Sequence, residues 1–198
     1  ESAPRFLLIE WTGFDDRLLP YDVPVTWRTL LKHYELAAKE PERELLLLLR
    51  RPVPVDFAPT ESEEAPLVLD EWIDVPSADG MLLAAPNLQL TREGHLMKTA
   101  LRIPPVYAEF EFADGQTRKV RLMPESSARG IVVNRPPLEW FDAVRAFSGQ
   151  SVSETAVRFR ITGPGIHYYH QETVMTLTEM RLVVRSRDQL ASEFTTAP

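Results

Sequence analysis

The sequence has no cysteine, so a disulfide-stapled scaffold, a CxxC redox centre and a Cys-ligated zinc site are all excluded. Glycine is scarce at 8 residues of 198, asparagine occurs twice, and lysine occurs 4 times against 18 arginines; genome composition is the plain account of the Arg bias. Long hydrophobic runs are also missing. The pure run Leu45 to Leu49, which no other exceeds, falls far short of the ~18–20 apolar residues a membrane span needs. Positive charge is in deficit, 22 basic against 29 acidic side chains for a net −7. That disfavours a nucleic-acid partner, whose phosphates need a basic surface, without removing a local basic face. The GxSxG, GxxxxGK[ST], HExxH and GxGxxG patterns are absent too, which weakens an enzymatic reading.

Apolar residues make up 44% and charged residues 26%, ordinary globular values that rule out collagen-like, coiled-coil and wholly disordered chains. Proline is abundant at 17, against about 10 expected at ~5% usage, and favours short strands, edges and rigid turns over long helices. The first residues, Glu1-Ser2-Ala3-Pro4, carry neither Met nor an apolar leader, as expected of a processed form or an excised domain.

Residues 5–11 (RFLLIEW) are β-prone, and 12–24 read as a loop. Trp27, Leu30, Leu31, Tyr34, Ala37 and Ala38 then fall on one face of a helix, with Thr26 as N-cap, a Glu35–Lys39 pair on the wet side and Pro41 as the stop. ELLLLLRR (44–51) predicts a strand buried on both faces. The acidic, Pro-bearing stretch 56–66 reads as an exposed loop and a weak domain boundary. Strands are predicted over 67–75, 81–90 and 96–103. Val106, Ala108, Phe110 and Phe112 alternate with Tyr107, Glu109 and Glu111, and Asp114-Gly115 turns the chain into 117–123. A short strand at 131–134 precedes a helix from Pro137, with Trp140, Phe141, Val144 and Phe147 as its apolar face and Gly149 as its C-terminal residue. Val157, Phe159 and Ile161 alternate with Arg158 and Arg160. Residues 166–184 hold one or two strands, with a parity slip between Leu177 and Met180 that predicts a bulge. About nine strands and two amphipathic helices without βαβ alternation predict a mainly β chain: a two-sheet sandwich, jelly-roll or carbohydrate-binding-module-like, with two flanking helices. Residues 1–184 read as a single domain and 185–198 as a tail or a linker to an absent part.

The R-hydrophobic-x-P step at Arg121 to Pro124, the small-G-hydrophobic strand at Gly130 to Val133, the Pro-started helix ending in Gly at Pro137 to Gly149, and the strand Val157 to Ile161 occur in one order. In that order they resemble the C-terminal extracytoplasmic part of uncharacterised bacterial polytopic membrane proteins, some of them glycosyltransferase-like. ELLLLLRRP (44–52) also looks like that family. The resemblance covers about half the chain and implies a β-sandwich in the periplasm or at the cell surface, tethered to a membrane part. It supplies no catalytic residues.

Four groups of side chains are candidates for chemistry. The first is His167, Tyr168, Tyr169 and His170 (HYYH). On a helix the two imidazoles could share a metal; on the strand predicted here their odd offset sends them to opposite faces, so neither a metal nor a cofactor is assigned. Tyrosine rings stacking on sugar faces, with imidazoles bonding hydroxyls, is the functional reading. Aromatics packed half into the core, with wet polar tips, is the plainer one. The second is Lys119, Arg121, Arg158 and Arg160, which share the outward parity. They offer a basic face to a phosphate, lipid headgroup or acidic glycan, or more plainly pair across strands with Glu109 and Glu111. Asp70, Glu71 and Asp74 around Trp72 would serve glycoside hydrolysis only if two sat ~5–9 Å apart across a sugar. Asp15 and Asp16 after Gly13 read as a solvated turn, with too few oxygen ligands for calcium.

The leading expectation is a non-catalytic extracytoplasmic accessory domain that binds a saccharide or lipid-linked saccharide beside a membrane-embedded partner. Its ligand contacts would come from His167, Tyr168, Tyr169, His170, Arg158 and Arg160, with no nucleic-acid role. The alternatives are an interaction domain docking to its own membrane region or a partner protein, and a cell-envelope glycoside hydrolase.

Overall fold

Period-two burial organises the molecule. In the computed structural model, which describes residues 3–11, 17–152 and 154–183, the chain runs β1 (Phe6–Glu10), α1 (Leu19–Asp22), α2 (Pro24–His33), β2 (Tyr34–Glu40), β3 (Leu45–Arg50), β4 (Asp56–Val68), β5 (Ile73–Asp74), β6 (Met81–Pro86), α3 (Arg92–Ala100), β7 (Val106–Phe112), β8 (Thr117–Leu122), α4 (Pro124–Ser127), β9 (Ile131–Val132), α5 (Trp140–Phe147), β10 (Ala156–Thr162) and β11 (Glu172–Val183). Three antiparallel sheets result, ordered β1-β3-β2, β5-β10-β7-β8 and β4-β11-β6-β9.

The two four-stranded sheets make the sandwich. Val106, Ala108, Phe110 and Phe112 of β7, with Phe159 and Ile161 of β10, face Leu67, Leu82, Ala84, Met175 and Leu177 of the opposite sheet in one apolar core, while Tyr107, Glu109 and Glu111 take the other side of the pleat. Asn134 ties the layers together. Its Oδ1 accepts the Leu82 N–H at 2.9 Å, its Nδ2 donates to the Gly80 carbonyl at 2.8 Å, and its own carbonyl accepts the Ala156 N–H at 2.9 Å. The third sheet was not anticipated. Leu46 and Leu48 on its inner face pack with Trp11, Trp27, Leu31, Tyr34, Trp140 and Phe147 in a second core.

The mainly β sandwich and most strands agree with the pattern read from the sequence. The bulge is there as a register shift between Thr178 and Met180, and the Asp114-Gly115 hairpin carries Gly115 at φ +80°. Other elements differ. The helix predicted through Ala38 stops at His33, and residues 34–40 form β2 against β3. Pairing with the leucine strand outweighs the high helical propensity of Glu35-Leu36-Ala37-Ala38-Lys39, and Glu35 pairs with Arg51 at 2.9 Å rather than with Lys39. Residues 56–66 are not a loop. They build most of β4, at the edge of its sheet, where Pro59 and Pro66 are tolerated because one side of the strand needs no donors. The strand predicted at 67–75 breaks at Asp70, φ +70°, and the chain crosses to β5 in the other sheet. Residues 96–103 belong largely to α3, which Thr91 caps by accepting the Gly94 N–H at 3.1 Å. The last helix starts at Trp140 on a Glu139/Asp142 capping box. Phe141 is 60% exposed, off the Trp140–Val144–Phe147 stripe. The predicted tail at 185–198 and the pair Asp15 and Asp16 lie outside the described residues.

Candidate functional site

On the outer face of the β5-β10-β7-β8 sheet, Arg158 and Arg160 converge on Trp72. Their guanidinium carbons stand 5.0 and 4.6 Å from its ring centre, close enough for cation–π attraction. Each arginine is also paired across the strand, Arg158 with Glu111 at 2.6 Å and Arg160 with Glu109 at 2.7 Å. Lys119 lies over the Tyr107 ring at 5.1 Å. Asp70 accepts from the Thr162 hydroxyl and stands 3.9 Å from Arg160, and Asp74 is the register partner of Arg158. This face balances its own charges. Half-exposed pairs of this kind contribute only ~0–1 kcal/mol each, and their clearest effect is to fix the side chains over the pleat.

The HYYH stretch is not a strand. Gly163, at φ +119°, and Gly165 reverse the chain, and a Cβ on Gly165 would run into the Pro104 carbonyl. Ile166–Tyr168 then form one 3₁₀ turn. His167 packs against Tyr168 with ring centres 4.0 Å apart. The Tyr168 carbonyl accepts both the backbone N–H and the hydroxyl of Thr91, which anchors the start of α3. His167 and His170 are exposed, whereas Tyr169 is buried. Among the described residues no hydrogen bond, ion pair or ring contact joins this turn to Arg158 or Arg160, so the six predicted contact residues divide into two groups.

Tyr169 points to a place that the sequence did not reveal. It lines a cleft of about 440 Å³ together with Arg17, Lys98, Arg102, Arg121 and Glu125. Four segments converge on it: Arg17 ahead of α1, the stretch from Lys98 in the last turn of α3 to Val106, the stretch from Arg121 at the end of β8 to Glu125 in α4, and Tyr169. Pro104 and Pro105 form a rigid wall. Burial, and next the Glu125 carboxylate, push the Tyr169 phenol above its usual range, so it stays protonated and able to donate. Lys98 is matched by Glu125 at 2.7 Å. Arg17 reaches Asp22 only at 3.9 Å, and its Nε is buried without a hydrogen-bond acceptor. Arg102 has no ion-pair partner among the described residues. Arg121, predicted to point to solvent, is 8% exposed: its parity is outward, but the segment from Leu101 to Pro105 shares the cleft wall over it.

An arrangement with more cations than carboxylates, a phenol donor and apolar walls suits an anion carried on a polar body. Sequence reasoning misses Lys98 and Arg102 because the segment reads as a strand; Arg102 lies beyond the extended C-cap Leu101 of α3, so no helical spacing joins the two in the sequence. No family model, no curated protein and no solved structure matches the chain.

Proposed function

We propose that the chain is a non-catalytic accessory domain that binds an anionic saccharide, free or lipid-linked, in the cleft around Arg102 and Tyr169. The observation that carries the reading is Arg102, a guanidinium with no ion-pair partner among the described residues, lining the same cleft as the Tyr169 phenol. The extracytoplasmic, membrane-tethered setting rests on the resemblance to domains of polytopic envelope proteins. No helix among the described residues is long and apolar enough to cross a membrane.

Calorimetry with glucose 1-phosphate, glucuronate, inorganic phosphate and glucose tests the reading. The phosphorylated sugar should bind best, glucose should give no heat, and the affinity should fall as salt is raised. Arg102→Gln should weaken glucose 1-phosphate at least tenfold, or ~1.4 kcal/mol. Tyr169→Phe should narrow its advantage over bare phosphate. Absence of heat with all three anions would overturn the proposal.

A second reading, docking to a partner protein, is favoured by a different observation. The outer face of the β1-β3-β2 sheet carries Phe6 and Leu8, 49% and 67% exposed, beside half-buried Leu45, Leu47 and Leu49. A strand apolar on both faces is usually covered on both, and contiguous exposed apolar patches mark interaction sites. The isolated chain should therefore self-associate at high concentration. Leu8→Glu should abolish this in sedimentation runs without lowering the thermal midpoint, because the side chain is mostly in water already.

A further inference from the structure

The edge of the second core, where α2 meets the β4-β11-β6-β9 sheet, holds a second site, separate from the cleft and independent of the reading just given. A groove of about 620 Å³ opens there, within the ~300–1,000 Å³ typical of small-molecule sites. Its walls are apolar: Trp27 and Leu31 from α2, Phe57 from β4, Met81 from β6, and Met180 and Leu182 from the end of β11. Its charged lining is Arg51, Arg135 and Arg181 against Asp79, with Gln150 and Ser151 as neutral polar neighbours. Arg51 is engaged by Glu35 at 2.9 Å, and Arg181 by Glu179 at 3.1 Å and Asp79 at 3.7 Å. Arg135 donates only to the Asp79 backbone carbonyl, at 3.4 Å, and meets no carboxylate among the described residues. A neutral apolar ligand would leave that charge unused. An anion without an apolar body would leave the accessible parts of Phe57, Met81, Met180 and Leu182 in water.

We infer that the groove binds a single-chain amphiphile, its hydrocarbon tail against Phe57, Met81 and Met180 and its anionic head, phosphate or carboxylate, on Arg135. The tail gains by taking hydrocarbon out of water, and the head gains a charge-assisted hydrogen bond.

The test is titration of the full chain with dodecyl phosphate, dodecanoate and dodecyl maltoside below their micelle-forming concentrations, read by tryptophan fluorescence and calorimetry. The two anionic amphiphiles should bind at least tenfold more tightly than the maltoside. Arg135→Gln should erase that preference while leaving the maltoside unchanged. Leu182→Glu, at a side chain 52% exposed and so tolerated by the fold, should weaken dodecyl phosphate at least tenfold. Arg102→Gln should leave it unaffected, which separates this site from the cleft. Equal affinity for charged and neutral heads, or indifference to Leu182→Glu, would overturn the inference. So would binding that appears only in a chain ending at Val183, which would give the groove to residues 184–198. A dimer that Leu182→Glu dissociates, with no amphiphile bound, would give it to a second copy and overturn the inference equally.

Discussion

Trp27→Ala should cost about 3–5 kcal/mol, the range for deleting a large buried aromatic side chain, and should loosen the β1-β3-β2 sheet before the sandwich. Trp27 is fully buried at the centre of the second core. Its ring meets Trp11 at 5.8 Å and Phe147 edge-on at 5.1 Å, so one side chain joins α2 to α5 and to the segment after β1. Truncation removes both aromatic contacts, each worth ~0.5–1.5 kcal/mol beyond area burial, and leaves a void that Leu46 and Leu48 on a hydrogen-bonded strand cannot refill. Against a total of ~5–15 kcal/mol for a typical domain, such a loss is large. Urea unfolding gives the magnitude. Native-state hydrogen exchange gives the location: the amides of Leu46 and Leu48 should lose more protection than those of Phe110 and Phe159. Equal loss throughout would show that the cores open as one unit.

The parts of this fold that could be read from the sequence are those whose signal is local. β7 alternates strictly because it has one face on the core, β10 does so from Arg158 onward after a bulge that leaves Val157 exposed instead of inward, and the slip after Leu177 is a bulge that has to shift parity. The misread parts depend on distant partners. Residues 34–38 continue the helical spacing of Trp27 and Leu31, yet the open edge of β3 takes them as β2 and fixes Glu35 on Arg51. The acidic stretch before Leu67 looks like a loop until β11 supplies a partner along its whole length. For α3 the decisive residue is Thr91, whose hydroxyl accepts from Gly94 and starts a helix where Leu96 and Leu101 had been read as strand residues.

The cleft was harder still to foresee. Arg17, Lys98, Arg121 and Tyr169 sit on four segments far apart in sequence, and only the closure of the sandwich assembles them. Tyr169 stands out in the sequence only as part of HYYH; His167 and His170 face water and Tyr168 is half-buried against the core, whereas Tyr169 lines the cleft. Arg158 and Arg160 stood out because outward arginines look available, but each has a glutamate directly across the strand. Parity tells which face a side chain takes and is silent about what already occupies that face.

Phe110→Ala should match Trp27→Ala in size, about 3–5 kcal/mol, through the other core. Phe110 is fully buried, stacked near Phe159 at 6.3 Å and tilted against Tyr21 at 5.9 Å. Tyr21 is pinned in turn by its hydroxyl, which donates to the Val132 carbonyl at 3.2 Å, so the ring cannot swing into the space without breaking a buried hydrogen bond. Phe110→Leu, closer in volume, should cost less than ~1.5 kcal/mol. Combining Phe110→Ala with Trp27→Ala then measures how the cores communicate. Phe110 and Trp27 share no ring contact, and among the described residues Leu18 alone packs against both clusters. If that one side chain is a weak link, the two costs should add within ~0.3–0.5 kcal/mol. A larger interaction energy that disappears when the cycle is repeated in a Leu18→Ala background would make Leu18 the joint through which the sandwich and the third sheet stabilise each other.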